Sequence, residues 1–250
     1  MRILAFLIVI INYVSTAYAQ GLSETNKENI RFFIDCIKKQ QKEKLADKVM
    51  YPFNRNYPLP PIRNKSEFIK RYHEVFDAAF TQMISKSNLS KDWATVGWRG
   101  IMFSNGELWL DYDGSLRAVN YSSKIEESKR QARIEEIRTT LHSSLKEFSQ
   151  PILVFKTSKF LIRVDQMKDN TYRYASWTLP NKMSSKPDII IPKGEFFSEG
   201  TASEPNYRFK NKEFTYECSF NSMSEELPRY YVRVFKEKKE IIFQKANLLY

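Results

Sequence analysis

Apolar positions recur at helical spacing through the first third of the chain and at every second residue through most of the rest. Thr25-x-x-Glu28 is a capping-box pattern ahead of Ile30, Phe33, Ile34 and Ile37, which predicts a helix over about 26–41. A short helical or turn segment to Lys48 and a short strand over 49–53 follow. The run Tyr57-Pro58-Leu59-Pro60-Pro61 excludes a central strand, because proline cannot donate to a ladder. Asn64-x-x-Glu67 is a second capping box, ahead of Phe68, Ile69, Tyr72, Val75, Phe76, Ala79, Phe80, Met83 and Ile84, a stripe that predicts one long amphipathic helix.

From Trp93 the period becomes two. Strands over 96–104 and 107–112 flank Asn105-Gly106, a strong hairpin signal, and Asp113-Gly114 turns the chain into a third strand over 116–121. Helices beside an antiparallel meander predict an α+β domain. The stretch 124–148 is rich in charge and helix formers, with Ile134, Ile137, Leu141, Leu145 and Phe148 as a narrow apolar stripe, and is expected to be a connecting helix docked on one side. Beyond Pro151 short strands are expected at 152–156, 159–165, 171–177, 188–191, 194–198, 206–210, 213–220, 229–235 and 239–244, a spacing that suggests a small barrel or sandwich.

The start of the chain has the order of a secretory leader: Arg2, an apolar run over 3–11, and the small-residue site Ala17-Tyr18-Ala19. The run stops at Asn12, short of the roughly 20 residues a transmembrane helix needs, and no cysteine stands near the cleavage site to take a lipid. The expected organisation is a signal peptide at 1–19, an α+β domain at 20–123, the connecting helix at 124–150 and an antiparallel β domain at 151–250, in a periplasmic or secreted protein without a membrane anchor. With aromatics at 14% and only seven glycines, disorder is excluded. The net charge of +11 suits anionic partners, but the lysines at 38, 39, 42, 44 and 48 lack the interleaved aromatics of a nucleic-acid platform.

The element order over about 22–122, with the stretches VMYPF, NKSEFIKRYHEVFD and VGWRGIMFSNGELWLDYDG, resembles the NTF2-like (cystatin-like) fold and exported bacterial proteins. The resemblance implies a cone in which a curved sheet wraps a long helix. It implies no function, since that fold hosts enzymes, binding modules and immunity proteins. The stretch FKNKEFTYECSF and its neighbours resemble small periplasmic β-barrel domains.

Pairing across Asn105-Gly106 sorts the hairpin into two faces. One carries Ile101, Phe103, Leu108 and Leu110, with Arg99 opposite Tyr112 at its far end, and is expected to pack on helices. The other carries Trp98, Gly100, Met102, Trp109, Asp111 and Asp113. Arg99 then sits at the cone's mouth, where a guanidinium leaving water needs a carboxylate, a carbonyl or an anionic ligand. Trp98, Trp109 and Trp93 offer a stacking surface for a sugar or a protein, or cover the sheet against the connecting helix. Asp111 and Asp113 resemble paired carboxylates, although a turn explains Asp113. Tyr72 and His73 lie on the long helix and approach the cone.

Nucleophile, zinc, redox and phosphate-loop motifs are lacking, so no catalytic residue, metal ligand or cofactor is assigned. Cys36 and Cys218 permit a disulfide or account for two separate buried thiols. The leading expectation is an exported soluble binding protein without catalytic activity. Its candidate ligand-binding residues are Arg99, Tyr72, His73, Tyr112, Trp98, Trp109 and Asp111. The expected partner is a protein, a glycan or a small anionic ligand, not nucleic acid. The alternatives are an NTF2-like small-molecule enzyme using Arg99, His73, Tyr72 and Asp111, and an immunity or inhibitor protein against a toxin or cell-wall hydrolase.

Overall fold

The computed structural model describes residues 21–199, 204–221 and 226–249; the expected leader at 1–19 lies outside them. Among the described residues the helices are α1 (Glu24–Lys38), α2 (Lys42–Ala46), α3 (Lys65–Val75), α4 (Ala78–Ser85) and α5 (Lys124–Thr140). The chain is α+β, and its described residues gather into two compact units, 21–50 with Ala78–Tyr121, and Tyr51–Asp77 with the described residues from Ser122 onward.

In the first unit α1 begins two residues earlier than Thr25 suggests. Ser23 is the N-cap, its Oγ accepting from Asn26 N at 3.1 Å, and Thr25 lies inside the first turn. A four-stranded sheet follows in the order β1 (Trp93–Thr95), β2 (Ile101–Phe103), β3 (Leu108–Leu110) and β4 (Leu116–Val119). The hairpin has the register set by Asn105-Gly106, with Ile101 opposite Leu110, Met102 opposite Trp109 and Phe103 opposite Leu108. Ile101, Phe103, Leu108 and Leu110 are buried. The strand expected over 96–104 is interrupted, because Gly97–Arg99 form a 3-10 turn. At Gly100, with φ of 99°, a Cβ would stand 2.4 Å from the Leu110 carbonyl oxygen, so the backbone swings too close to β3 for any side chain.

The long helix expected across 64–84 is two helices. Asn64 caps α3 by accepting from Glu67 N at 3.0 Å, as its capping box predicts. The helix ends at Phe76, whose φ of −112° and ψ of 80° leave the helical region, and α4 belongs to the first unit. The strand expected at 49–53 reduces to isolated bridges, Val49 to Leu116 in the first unit and Phe53 to Ile62 in the second.

In the second unit Ser123 joins two helix ends. Its hydroxyl donates to the Glu74 carbonyl near the C-terminus of α3 at 2.5 Å and accepts from Glu126 N at 3.0 Å as the N-cap of α5. Both orphan groups are thereby satisfied in a site with no exposure. Beyond α5 come β5 (Gln150–Lys156), β6 (Phe160–Gln166), β7 (Tyr172–Thr178), β8 (Ile189–Glu199), β9 (Glu204–Asn211), β10 (Phe214–Phe220), β11 (Tyr230–Lys236), β12 (Lys239–Lys245) and β13 (Asn247–Leu249).

These form a nine-stranded antiparallel sheet in the order β12-β11-β10-β9-β8-β7-β6-β5-β13. Its two edges are consecutive pieces of chain. β12 pairs with β11, Ala246 N donates to Tyr230 O at 2.8 Å, and the next three residues pair with β5. One extended segment thus ties the first strand to the last and makes the sheet barrel-like and nearly closed. The strands expected at 188–191 and 194–198 are one strand, β8, kinked at Lys193, where φ is 58°.

Alternation sorts this sheet into an inner and an outer face. Phe155, Ile162, Val164, Tyr174, Ile191, Phe209, Cys218 and Val232 form the inner core. On the outer face Val154, Leu161, Ala175 and Trp177 pack against Ile134, Leu141, Leu145 and Phe148; the helix expected over 124–148 ends at Thr140, so Leu141, Leu145 and Phe148 dock from the segment after it. Two ionic clusters are sealed in this unit. Arg55 pairs with Glu126, and Asp165 holds Arg163 at 2.5 Å and Arg173 at 2.7 Å. Arg173 also donates to the carbonyls of Leu145 and Glu147, which pins the segment after α5 to the sheet.

Candidate functional site

The inner face is not filled to its end. Between the hairpin turns at 157–159 and 237–238 a cavity of about 200 Å³ remains, with Phe160, Ile162, Ile189, Phe214, Val232 and Ile242 supplying most of its apolar wall. Inward positions exist here because β6, β7, β10, β11 and β12 each alternate, and the register places Val232 opposite both Cys218 and Gln244, and Val234 opposite both Tyr216 and Ile242. Register slips between Val234 and Phe235, so Ile241 becomes the extra residue of a bulge and still reaches the cavity rim.

Polar groups in the lining are few and uncharged. Thr157 closes its own turn, its Oγ1 accepting from Phe160 N at 2.9 Å and Lys159 N at 3.2 Å. Tyr174 and Ser176 share a side-chain hydrogen bond, and burial pushes the Tyr174 hydroxyl well above the usual phenol range. Burial likewise raises Tyr216. Gln244 Oε1 is buried and has no hydrogen-bond partner. A buried acceptor in that state costs about 1–3 kcal/mol unless something donates to it.

The cavity meets a gap in the sheet. β12 has one ladder neighbour, β11, and along 239–245 its other edge has none among the described residues. Thr157, Phe160, Ile241 and Gln244 all belong to the cavity lining. Closure on that side is carried by β13, which pairs with β5.

A larger hollow of about 630 Å³ lies where the proline-rich loop, α3 and α5 meet. Its lining carries Arg63, Lys70, Arg71, Lys129 and Arg133 against Glu67, Glu74 and Glu136, an excess of positive charge; Arg71 and Lys129 hold Glu74 at 3.0 and 2.5 Å, and Arg133 holds Glu136 at 3.2 Å. Burial alone would raise the Glu74 carboxyl, but the hydrogen bonds and charges of Lys129 and Arg71 outweigh it and hold the group below its ordinary value. This hollow is walled largely by charged side chains, whereas the barrel cavity presents a mainly apolar wall with a few uncharged polar groups, the usual make-up of a small-molecule site.

The residues expected from sequence lie elsewhere. Arg99 is in the 3-10 turn, half-buried, with its guanidinium 5.8 Å from the Trp98 ring, so it does not stand opposite Tyr112 on an aliphatic strand face. Trp98 is exposed and Trp109 half-buried. Trp93 is buried against Phe33 and Phe103 and leaves the expected aromatic surface. Tyr112 is exposed and donates through its hydroxyl to the Gly97 carbonyl at 2.6 Å. Asp111 accepts from Tyr112 N at 2.7 Å and Asp113 from Ser115 N at 2.8 Å, both as turn residues. Tyr72, in the other unit, is buried and stacked on Phe76, while His73 is exposed. Cys36 and Cys218 are separate buried thiols, both raised by burial.

Among the described residues no group of His, Cys, Asp and Glu is placed to hold a metal, and no helix is long and apolar enough to cross a membrane. Gln244 was visible in sequence only as a polar residue alternating with Ile242 and Ala246, once β12 was recognised as facing inward. No protein-family model, curated protein or solved structure matches the chain, and the geometry of the barrel cavity therefore carries the functional argument.

Proposed function

We propose that the chain is an exported binding protein that holds a small molecule in the cavity of its barrel-like sheet. Export rests on the leader pattern around Arg2, 3–11 and Ala17-Tyr18-Ala19. The carrying observation for binding is the cavity of about 200 Å³, walled mainly by apolar side chains from six strands, the edge strand β12 among them. Nothing in its lining is a nucleophile poised beside a base, so the proposal is binding without turnover. The NTF2-like cone enters the proposal as the scaffold of the first unit, supported by α1 and the four-strand meander; Tyr51–Asp77, which the resemblance also spans, groups with the barrel unit instead.

The test is recovery of the occupant. Protein purified from the exported fraction is extracted with organic solvent and the extract read by mass spectrometry, beside the cavity-filling variants Ile162→Trp and Ser176→Phe. A compound released by the wild type and missing from a folded variant is expected. Identical extracts from all three would contradict a site in the barrel.

A further inference from the structure

We infer that a groove along α5 in the second unit receives an extended acidic segment of another protein, its carboxylates beside α3 and one apolar side chain beside β13. The groove is separate from the barrel cavity and does not depend on it.

Shape comes first. The hollow of about 630 Å³ between the proline-rich loop, α3 and α5 adjoins a second of about 380 Å³, because Pro60, Arg133 and Glu136 line both. Successive turns of α5 form one wall: Lys129 and Ala132 line the first hollow, and Ile137 and Thr140 the second. From Lys129 to Thr140 the helix rises about 16 Å, a length that about five residues of extended chain span. The loop is tied to α3, since Arg71 donates to Glu74 at 3.0 Å and to the Pro60 carbonyl at 2.9 Å.

Charge comes second. The first hollow is lined by five cations and three carboxylates. Glu74 is shared by Arg71 and Lys129, Arg63 reaches Glu67 only at 3.8 Å, and Lys70 forms no ion pair among the described residues. Arg63 and Lys70 are both exposed. The cations are spread over α3, α5 and the approach to α3, an arrangement that complements carboxylates spaced along a chain. The chain's net charge of +11 adds a field of the same sign.

The apolar end comes third. Tyr57, Pro58, Ile137, Val154, Met183 and Leu249 wall the second hollow, and its charges, Arg133 and Glu136, hold each other at 3.2 Å. An apolar side chain leaving water is favoured there.

The probe is a capped pentapeptide of four glutamates followed by a leucine, titrated by calorimetry into the full exported chain at low and high salt. Binding that weakens with salt is expected. The exposed double variant Arg63→Glu/Lys70→Glu should weaken it about tenfold, and so should alanine in place of the peptide's leucine. A second reversal at exposed positions away from the groove, Lys210→Glu/Lys238→Glu, should leave the affinity unchanged. Thermal melts establish that both variants fold, and the leucine exchange leaves the protein untouched. No binding of the acidic peptide, equal binding of a peptide with lysines for glutamates, or equal losses in the two double variants would overturn the proposal. Indifference to the leucine would overturn the placement of the apolar side chain. Binding of dodecanoate without binding of the peptide would overturn the peptide assignment and make the groove an amphiphile site.

Discussion

A Cβ placed on Gly194 would lie 2.2 Å from two ring carbons of Phe209, so Gly194 is the position that lets the Phe209 ring cross the inner core. Phe209 has no exposure and meets Tyr174 with ring centroids 5.4 Å apart. Gly194→Ala is expected to cost about 1–3 kcal/mol by overpacking. In the double variant Gly194→Ala/Phe209→Leu most of that loss should return. Denaturant unfolding of the two variants checks this; equal losses in both would mean that the contact does not govern the site.

Asp165 is the shared anion of Arg163 and Arg173, and both Asp165 and Arg163 are without exposure. Removing it leaves two cations under Phe148 and the segment after α5. Asp165→Ala is expected to cost about 3–5 kcal/mol, as breaking one side of a buried pair does. Replacing Asp165, Arg163 and Arg173 together by apolar residues should cost less than the single change. Thermal and denaturant melts of the single and triple variants decide it.

Acid sensitivity should trace in part to Glu74. Its carboxyl is held below the ordinary value of 4.5 by Lys129 and Arg71, against the raising effect of burial. A depressed folded value means stabilisation that is complete above the unfolded value and is lost as pH falls through the folded one. Stability of the wild type should therefore fall between about pH 4.5 and the lower folded value, and Glu74→Gln should flatten that limb. Parallel pH profiles for the two proteins would remove Glu74 from the account.

The thiols should be silent in the native state. Cys218 has no exposure and Cys36 is 1% exposed, and burial pushes both above the usual thiol range, so neither offers thiolate to a reagent. Iodoacetamide is expected to modify neither residue until denaturant is added, and then both. Native labelling of Cys218 would show the inner face open to solvent.

Local signals in the sequence were strong where one element decided its own geometry. Asn105-Gly106 placed the hairpin register to the residue, and the strand alternation after Pro151 located β5 to β12 to within a few positions, while β13 was not expected. The break at Phe76 was hidden because the apolar stripe runs on through Phe80 and Ile84, and its cap is Ser123, far along the chain. Arg99 was misplaced because the approach of Gly100 to the Leu110 carbonyl forces a turn where alternation alone continues a strand. The cavity was invisible for a related reason: it depends on one segment changing partners at Ala246 from β11 to β5, a fact of long-range pairing that no local pattern carries.

Small apolar molecules are expected to bind inside the barrel-like sheet. Isotope-labelled protein titrated with 4-methylphenol, with intermolecular contacts read by nuclear magnetic resonance, tests it directly. Contacts from the ligand ring to the methyl groups of Ile162, Val232 and Ile242 are the predicted result. Contacts confined to Trp98 and Trp109 on the four-stranded sheet, or none at saturating ligand, would contradict it.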